Sequence, residues 1–346
     1  MTELMKAARL HRVGENLSIE HVNVPKVGPA EVLVEIRASG ICHSDINYRD
    51  GVSPVRQLPI TLGHEIAGIV SETGDRVEGI EEGDRVCVHY VLSCGNCLFC
   101  RTDRENYCEQ YRMIGKDVDG GFAEYIKVPA RNVLKLPETV PFEQGCILGC
   151  AVSTAFHALR RGRTSAGDTV VVYGVGGLGA HALQLAKNLQ AGQLIAVDVS
   201  DEKLKLARGL GADEVVNAAT DDPSERIREL TDGKLANVVL DFVGQSKTIE
   251  KAIDCVGKGG RVVLVGIGRD DITVSPYGTI IGKEMELIGV NDHLRSELAQ
   301  LIKLVDSGKI DLSASVTHTV RLEDVNSGIR ILEEKIGNPI RVVVAK

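Results

Sequence analysis

The stretch VVVYGVGGLGAHALQLAK, residues 170–187, changes rhythm halfway along. Its opening VVVY has the β-branched and aromatic content of a buried strand, and its second half repeats apolar residues at helical spacing. Between the two, Gly174, Gly176 and Gly179 form G-x-G-x-x-G, with Gly177 as a fourth glycine. The pattern alone is weak evidence. Here it follows a strand and opens a helix, and LIAVDVS then places Asp198 at the end of the next strand. Glycines allow a tight turn and close backbone approach, a helix N-terminus attracts a pyrophosphate, and Asp198 can accept the hydrogen bonds of an adenosine ribose. An acid there repels a 2′-phosphate, so the expected cofactor is NAD and not NADP. The plainer alternative is a glycine-rich turn that only packs helix on strand.

Downstream, the alternation continues through DEKLKLARGLG, ANVVLDFVG, TIEKAIDCVG, GRVVLVGIG and MELIGV. Strand and helix in turn predict a parallel sheet covered on both faces, assigned to residues 152–291. Upstream, short alternating runs such as EVLVEIRAS and EIAGIV, broken by VGPAE and GVSPVRQLP, predict a β-rich domain. The tail holds a helix in RSELAQLIKLVDSG and strands around VTHTV and PIRVVVAK. It is too short to fold well alone, so residues 1–151 and 292–346 are expected to make one domain.

Of the 346 residues, 43% are hydrophobic and 25% charged, as in a globular protein, and the net charge of −8 has the wrong sign for phosphate-backbone attraction. Nucleic acid is not an expected partner. Neither is a membrane, because no run approaches eighteen apolar residues and the first segment, MTELMKAARLHRVGENL, has no basic stretch leading into an apolar core. A cytoplasmic protein is expected.

Thiols stay reduced in that compartment, and nine cysteines are an odd number, so metal ligation is favoured over a disulfide framework. Cys94, Cys97, Cys100 and Cys108, in CGNCLFCRTDRENYC, follow C-x2-C-x2-C-x7-C. Four thiolates close a tetrahedral shell, which points to structural zinc, with an iron–sulfur cluster or idle thiols as alternatives. Cys42 in GICHSDINYRDG, His64 in LGHEIAG and Cys150 in LGCAVST have the composition of a catalytic zinc site, three protein ligands and one open position. Singly, each reads as a buried thiol or a core histidine.

Taken together, GHEIAGIVSETGDRVEGIEEGDRV, the four-cysteine loop, GFAEYIKVP, the glycine-rich turn and NPIRVVV resemble the zinc-dependent medium-chain alcohol dehydrogenase family, in the family's order along the whole chain. The resemblance implies an α/β fold: a Rossmann doubly wound parallel sheet plus a β-rich, GroES-like, partly open barrel catalytic domain. It implies two zincs per subunit, a catalytic one on Cys42, His64 and Cys150 and a structural one on Cys94, Cys97, Cys100 and Cys108. Glu65 matches the acid beside the catalytic metal, and Asp45 the carboxylate that orients the histidine ligand. Ser44 matches the hydroxyl that passes the alcohol proton onward, with helix capping as its plainer role. His43 and Arg341 match contacts to the cofactor pyrophosphate, Thr154 to the nicotinamide and Lys203 to the adenosine ribose; Leu178 and Val265 complete the cofactor set with the four glycines and Asp198. Where many members carry a histidine at the outer end of the proton relay, this chain has Asn47. Tyr90, Met113 and Ile114 fall where the family lines its substrate pocket.

The activity implied is reversible hydride transfer from a primary or secondary alcohol to NAD, giving an aldehyde or ketone, with the alcohol oxygen activated on zinc. A polyol dehydrogenase, a carbonyl reductase or a catalytically silent NAD-binding protein on the same fold are the alternatives. Chain length is like that of microbial members, for which a homo-oligomer, a tetramer over a dimer, is expected.

Overall fold

The computed structural model describes residues 3–346. They form two compact units, one from the chain up to Ser153 together with Asp292–Lys346, the other Thr154–Asn291.

In the second unit six parallel strands stand in the order three, two, one, four, five, six: Glu214–Asn217, Gln193–Asp198, Thr169–Tyr173, Ala236–Asp241, Val256–Leu264 and Glu286–Gly289. That order reverses beside Thr169–Tyr173, the place where a doubly wound sheet opens a crevice for a dinucleotide. Val170, Val171 and Val172 are fully buried, as a strand covered on both faces requires. The helices between strands begin where the sequence supplies an acceptor. Ser200 caps Asp201–Gly209, and Asp222 accepts from the backbone N–H groups of Ser224 and Glu225 ahead of Pro223–Leu230, with proline at the first helical position.

In the first unit Glu31–Ile41 is the central strand of a seven-stranded sheet. It pairs antiparallel with Glu65–Thr73, with Tyr125–Pro129 and with Arg341–Ala345, which returns from the far end of the chain. A three-stranded sheet, centred on Leu4–Leu10, supplies further core; among the described residues no closed barrel forms. The expected fold, doubly wound sheet plus open β-rich GroES-like domain, is the one observed. Among the described residues no helix is long and apolar enough to cross a membrane.

Candidate metal centre and active site

Cys42 follows the central strand, which ends at Ile41, and precedes a seven-residue helix, His43–Arg49. Three residues on, the buried Asp45 carboxylate turns back to accept the Cys42 backbone N–H at 2.8 Å and that of Gly63 at 3.2 Å. The helix therefore starts at His43 with Cys42 as the capping residue. Ser44 lies inside its first turn, so the capping role weighed for it falls away. Its hydroxyl is 3.7 Å from the Cys42 sulfur.

Asp45 has a third neighbour, His64 Nδ1, at 3.3 Å. A hydrogen bond there places the ring proton on Nδ1 and leaves the Nε2 lone pair available. His64 Nε2 is buried with no hydrogen-bond partner, which is costly for a polar atom unless something else takes the lone pair. Cys150 arrives from a π-helical turn, Leu148–Val152, between two α-helical segments; such one-residue widenings are frequent at functional sites. Ligand atoms of Cys42, His64, Glu65 and Cys150 all lie within 4.8 Å of one another, and all four residues are buried. Hydrogen bonding from Cys150 holds the Cys42 thiol well below its usual range, and the same bond pushes Cys150 up. Two soft sulfurs, one already disposed to be a thiolate, and one unused imidazole nitrogen suit zinc.

Glu65 lies beside this group on the neighbouring strand. Burial raises its carboxyl to about 7, opposed by the Arg341 guanidinium, with which it forms an ion pair. Both side chains are essentially inaccessible. Gly40 faces Glu65 in the ladder, and a Cβ at position 40 would collide with the Glu65 carboxylate. Arg341 therefore sits on the acid of the metal centre, and its Nε has no hydrogen-bond partner.

The second cluster, Cys94, Cys97, Cys100 and Cys108, also has its sulfurs within 4.8 Å of one another. Separations are 3.8 Å for Cys94 to Cys100, 3.5 Å for Cys97 to Cys100 and 4.0 Å for Cys97 to Cys108. A tetrahedron with zinc–sulfur bonds of about 2.3 Å has edges of about 3.8 Å, so the shell fits without rearrangement. Backbone N–H groups of Cys94, Cys97 and Gln110 point at its sulfurs, and the backbone holds Cys97 down to about 6. The lobe is fastened to the helix Arg295–Asp306. Buried Glu105 accepts the Arg295 backbone N–H at 2.5 Å, and Asp103 accepts the Ser296 hydroxyl at 2.7 Å.

In the second unit Gly174 has φ of +85°, a conformation that favours glycine. A Cβ on Gly179 would strike the Gly174 carbonyl oxygen, so helix and turn meet closely only because that side chain is absent. Asp198 accepts the backbone N–H of Val175 at 2.7 Å and of Ser200 at 3.0 Å, which brings turn and acid together. The Val265 backbone N–H donates to the Asp241 carbonyl at 2.9 Å. Leu178 and Thr154 lie in the helices that begin at Gly177 and Ser153, and Lys203 in the one after Asp198.

Sequence reasoning covered only part of a polar aromatic wall in the first unit. The Tyr90 ring packs edge-on to His64, centroids 5.2 Å apart, and Tyr48 approaches the same ring at 6.4 Å. The Tyr90 hydroxyl donates to Asp292 at 3.1 Å, and the Tyr48 hydroxyl to the Met113 sulfur at 3.2 Å. His89 and His293, both buried, complete the wall with ring centroids 4.8 Å apart. Tyr90 was expected as pocket wall and Met113 or Ile114 at its entrance; Tyr48, His89, Asp292 and His293 carry no motif. Burial lowers His89 to about 4, although its Nε2 hydrogen-bonds the His293 carbonyl at 3.3 Å. Its ordinary value is near 6.5, so the unfolded chain binds the proton more readily. Stability from this residue is complete above about pH 6.5 and is lost as pH falls towards 4, by about 3 kcal/mol. Denaturant titrations at a series of pH values should show this loss, and His89→Gln should flatten it.

Comparison with known proteins follows the same lines. The family profile described as "Alcohol dehydrogenase GroES-like domain" matches residues 28–138, and "Zinc-binding dehydrogenase" matches 177–307. An NAD-dependent alcohol dehydrogenase of Sulfurisphaera tokodaii is 36% identical over 339 residues, covering 95% of this chain and 96% of that one. An L-threonine 3-dehydrogenase of Pyrococcus horikoshii is 34% identical over 325 residues, covering 92% of each. The crystal structure of the alcohol dehydrogenase from Aeropyrum pernix superposes with a TM-score of 0.91 at 36% identity, covering 99% of this chain and 100% of that one. The chain belongs to the zinc-dependent medium-chain alcohol dehydrogenase family.

Proposed function

We propose that this chain is an NAD-dependent zinc alcohol dehydrogenase that moves a hydride reversibly between a primary or secondary alcohol and NAD. The observation that carries the reading is the buried Cys42, His64 and Cys150 group, in which Asp45 leaves His64 Nε2 to a metal. Two zincs per subunit are assigned, one to this group and one to Cys94, Cys97, Cys100 and Cys108. When bound, the catalytic zinc supplies Lewis acidity to the alcohol oxygen and NAD accepts the hydride.

The chain's own residues do the rest. Asp45 fixes the His64 tautomer, and Glu65, held by Arg341, would be the acid beside the metal when it is bound. Ser44, beside the Cys42 sulfur, takes the alcohol proton. The glycine turn with Leu178 is assigned to the pyrophosphate, with exposed His43; Arg341, matched to the same role, is instead enclosed with Glu65 in a buried ion pair. Asp198 and Lys203 serve the adenosine ribose, Thr154 and Val265 the nicotinamide end. The first unit is the catalytic zinc domain and the second the NAD domain. An odd number of cysteines, nine, supports a cytoplasmic protein with reduced thiols, and chain length supports a homo-oligomer, a tetramer over a dimer.

Half-buried Asn47 stands where many members have a relay histidine. An amide passes a hydrogen bond but does not titrate near neutrality. Asn47→His should therefore add a limb near pH 6.5 to the profile of kcat. An unchanged profile would remove position 47 from the proton path.

The test of the whole reading is metal analysis of protein purified without added metal, with NADH formation from primary, secondary and polyol alcohols on the same sample. Two zincs with NAD-linked oxidation are expected. One zinc, lost on Cys97→Ser, with no oxidation of any alcohol would leave a silent NAD-binding protein.

A further inference from the structure

Glu105 belongs to the four-cysteine lobe, between Cys100 and Cys108, and is 6% exposed. Its carboxylate reaches out of the lobe and accepts the backbone N–H of Arg295, the first residue of the helix Arg295–Asp306, at 2.5 Å. An acid in that place satisfies one of the N–H groups that a helix start leaves without an internal partner, and it matches the positive end of the helix dipole. Two further ties hold the same helix end. Asp103, also of the lobe, accepts the Ser296 hydroxyl at 2.7 Å, and Arg295 Nε donates to the Arg131 carbonyl at 2.7 Å. Arg131 in turn lies over the lobe, where a Cβ on Gly95 would strike its guanidinium.

What this helix supports lies at the metal centre. It packs against the π-helical turn Leu148–Val152, which carries Cys150. Just before it, His293 meets two residues of the aromatic wall: its carbonyl is 3.3 Å from His89 Nε2, and its ring centre is 5.0 Å from that of Tyr90. Tyr90 then stands edge-on to His64. Asn132, next to Arg131, donates from its amide to the His89 carbonyl at 2.7 Å and to the Val91 carbonyl at 2.8 Å, and so fixes the chain on both sides of Tyr90. Two residues of the buried metal group, His64 and Cys150, therefore rest on parts that the lobe clamps. Interiors are close-packed, so a shift of the helix start is passed on to its neighbours and not absorbed. Ligand groups keep their geometry only where packing and hydrogen bonds behind them hold it.

We propose that Glu105 is a positioning residue for the metal centre: by holding the first residue of the helix Arg295–Asp306 to the four-sulfur lobe, it sets where Tyr90 meets His64 and where the Cys150 turn lies. The kinetic part of this inference rests on the dehydrogenase reading; the part about ligand geometry does not. Glu105 touches no reactant and passes no proton.

The experiment uses the whole chain with both metal sites filled and compares Glu105→Ala, Glu105→Asp and Glu105→Gln. Glutamine keeps the reach and an acceptor oxygen, whereas aspartate keeps the charge and falls one methylene short. In Glu105→Ala and Glu105→Asp, kcat for alcohol oxidation should fall about tenfold, less than a misplacement of about 1 Å can cost, while KM for NAD stays within about twofold of wild type. Glu105→Gln should recover most of the loss. Cobalt(II) gives a readout that needs no turnover. The ligand-field bands of protein carrying two cobalt ions, less those of Cys150→Ser, which keeps only the lobe ion, report the catalytic site. With each subtraction made in its own background, these bands should shift in Glu105→Ala and Glu105→Asp and stay near wild type in Glu105→Gln. Thr139→Val is the control, because the Thr139 hydroxyl donates to Asp306 at 2.5 Å and ties the other end of the same helix. It should lower the denaturant midpoint without moving kcat or the bands. Unchanged kcat and bands in Glu105→Ala and Glu105→Asp would mean that the tie serves stability alone, and would overturn the assignment; so would equal losses in Thr139→Val. Should Glu105→Ala fail to fold, Glu105→Asp carries the same test. Two bound zincs with no NADH from any alcohol overturn the dehydrogenase reading, and the cobalt bands then decide the role of Glu105 by themselves.

Discussion

Replacing Cys150 by serine is expected to cut kcat/KM for alcohol oxidation a hundredfold or more and to lower the metal content from two zincs to one. A catalytic zinc shifts the pKa of the oxygen it binds from about 16 to about 7, an advantage of about 12 kcal/mol. Losing even a quarter of it is about 3 kcal/mol, or more than a hundredfold in rate. The serine hydroxyl is nearly isosteric but is neither soft nor readily ionised, so the buried group of Cys42, His64 and Glu65 no longer presents the donor set zinc prefers. The other cluster is built from a separate stretch, so Cys150→Ser should keep one tightly held metal and an intact near-ultraviolet spectrum. Cys97→Ser provides the mirror case. Metal analysis of the two variants side by side checks the pattern, and activity surviving at wild-type levels in Cys150→Ser would contradict it.

The second large effect is on stability. Arg341→Ala should cost about 3–5 kcal/mol, because it strands the Glu65 carboxylate in a site with no access to water. Converting both partners, as Arg341→Met with Glu65→Gln, removes the charge together with its counter-charge and should recover most of the loss. Denaturant midpoints for the two single variants and the double variant give the coupling directly. If Arg341→Ala alone were neutral, water would have to reach Glu65.

Which features were legible in the sequence follows from how locally each is encoded. The strand, glycine turn and helix of residues 170–187 could be read because β-branched content, helical period and glycine spacing all agree within eighteen residues. The four-sulfur lobe could be read because Cys94, Cys97, Cys100 and Cys108 carry their spacing inside one loop. Cys42, His64 and Cys150 are a different case. They are 22 and 86 residues apart, and only the resemblance of the surrounding segments linked them before the fold brought them together. Nothing local marks Asp292 either: NDH after a strand reads as a polar turn. Its burial is produced by Tyr90 and Tyr111, which reach it from segments about 200 and 180 residues earlier. The starting point of the first helix was misjudged for a related reason. Serine is the common capping residue, but here the Asp45 carboxylate takes the Cys42 backbone N–H, and the cap is Cys42, two residues before Ser44.

The ion pair across Gly40 also sets a timetable for the nascent chain. Glu65 and Arg341 are 276 residues apart, and between them lie the whole second unit and the return into the first sheet. At ordinary elongation rates of about 5–20 residues per second, some tens of seconds pass between synthesis of the acid and of its counter-ion. Throughout that interval the sheet carrying Glu65 lacks both the strand Arg341–Ala345 beside it and the charge that makes burial of the acid tolerable. The second unit, contiguous from Thr154 to Asn291, has no such wait and is free to fold on the ribosome first. Residue 341 therefore meets the acid only after that unit's whole length has been made.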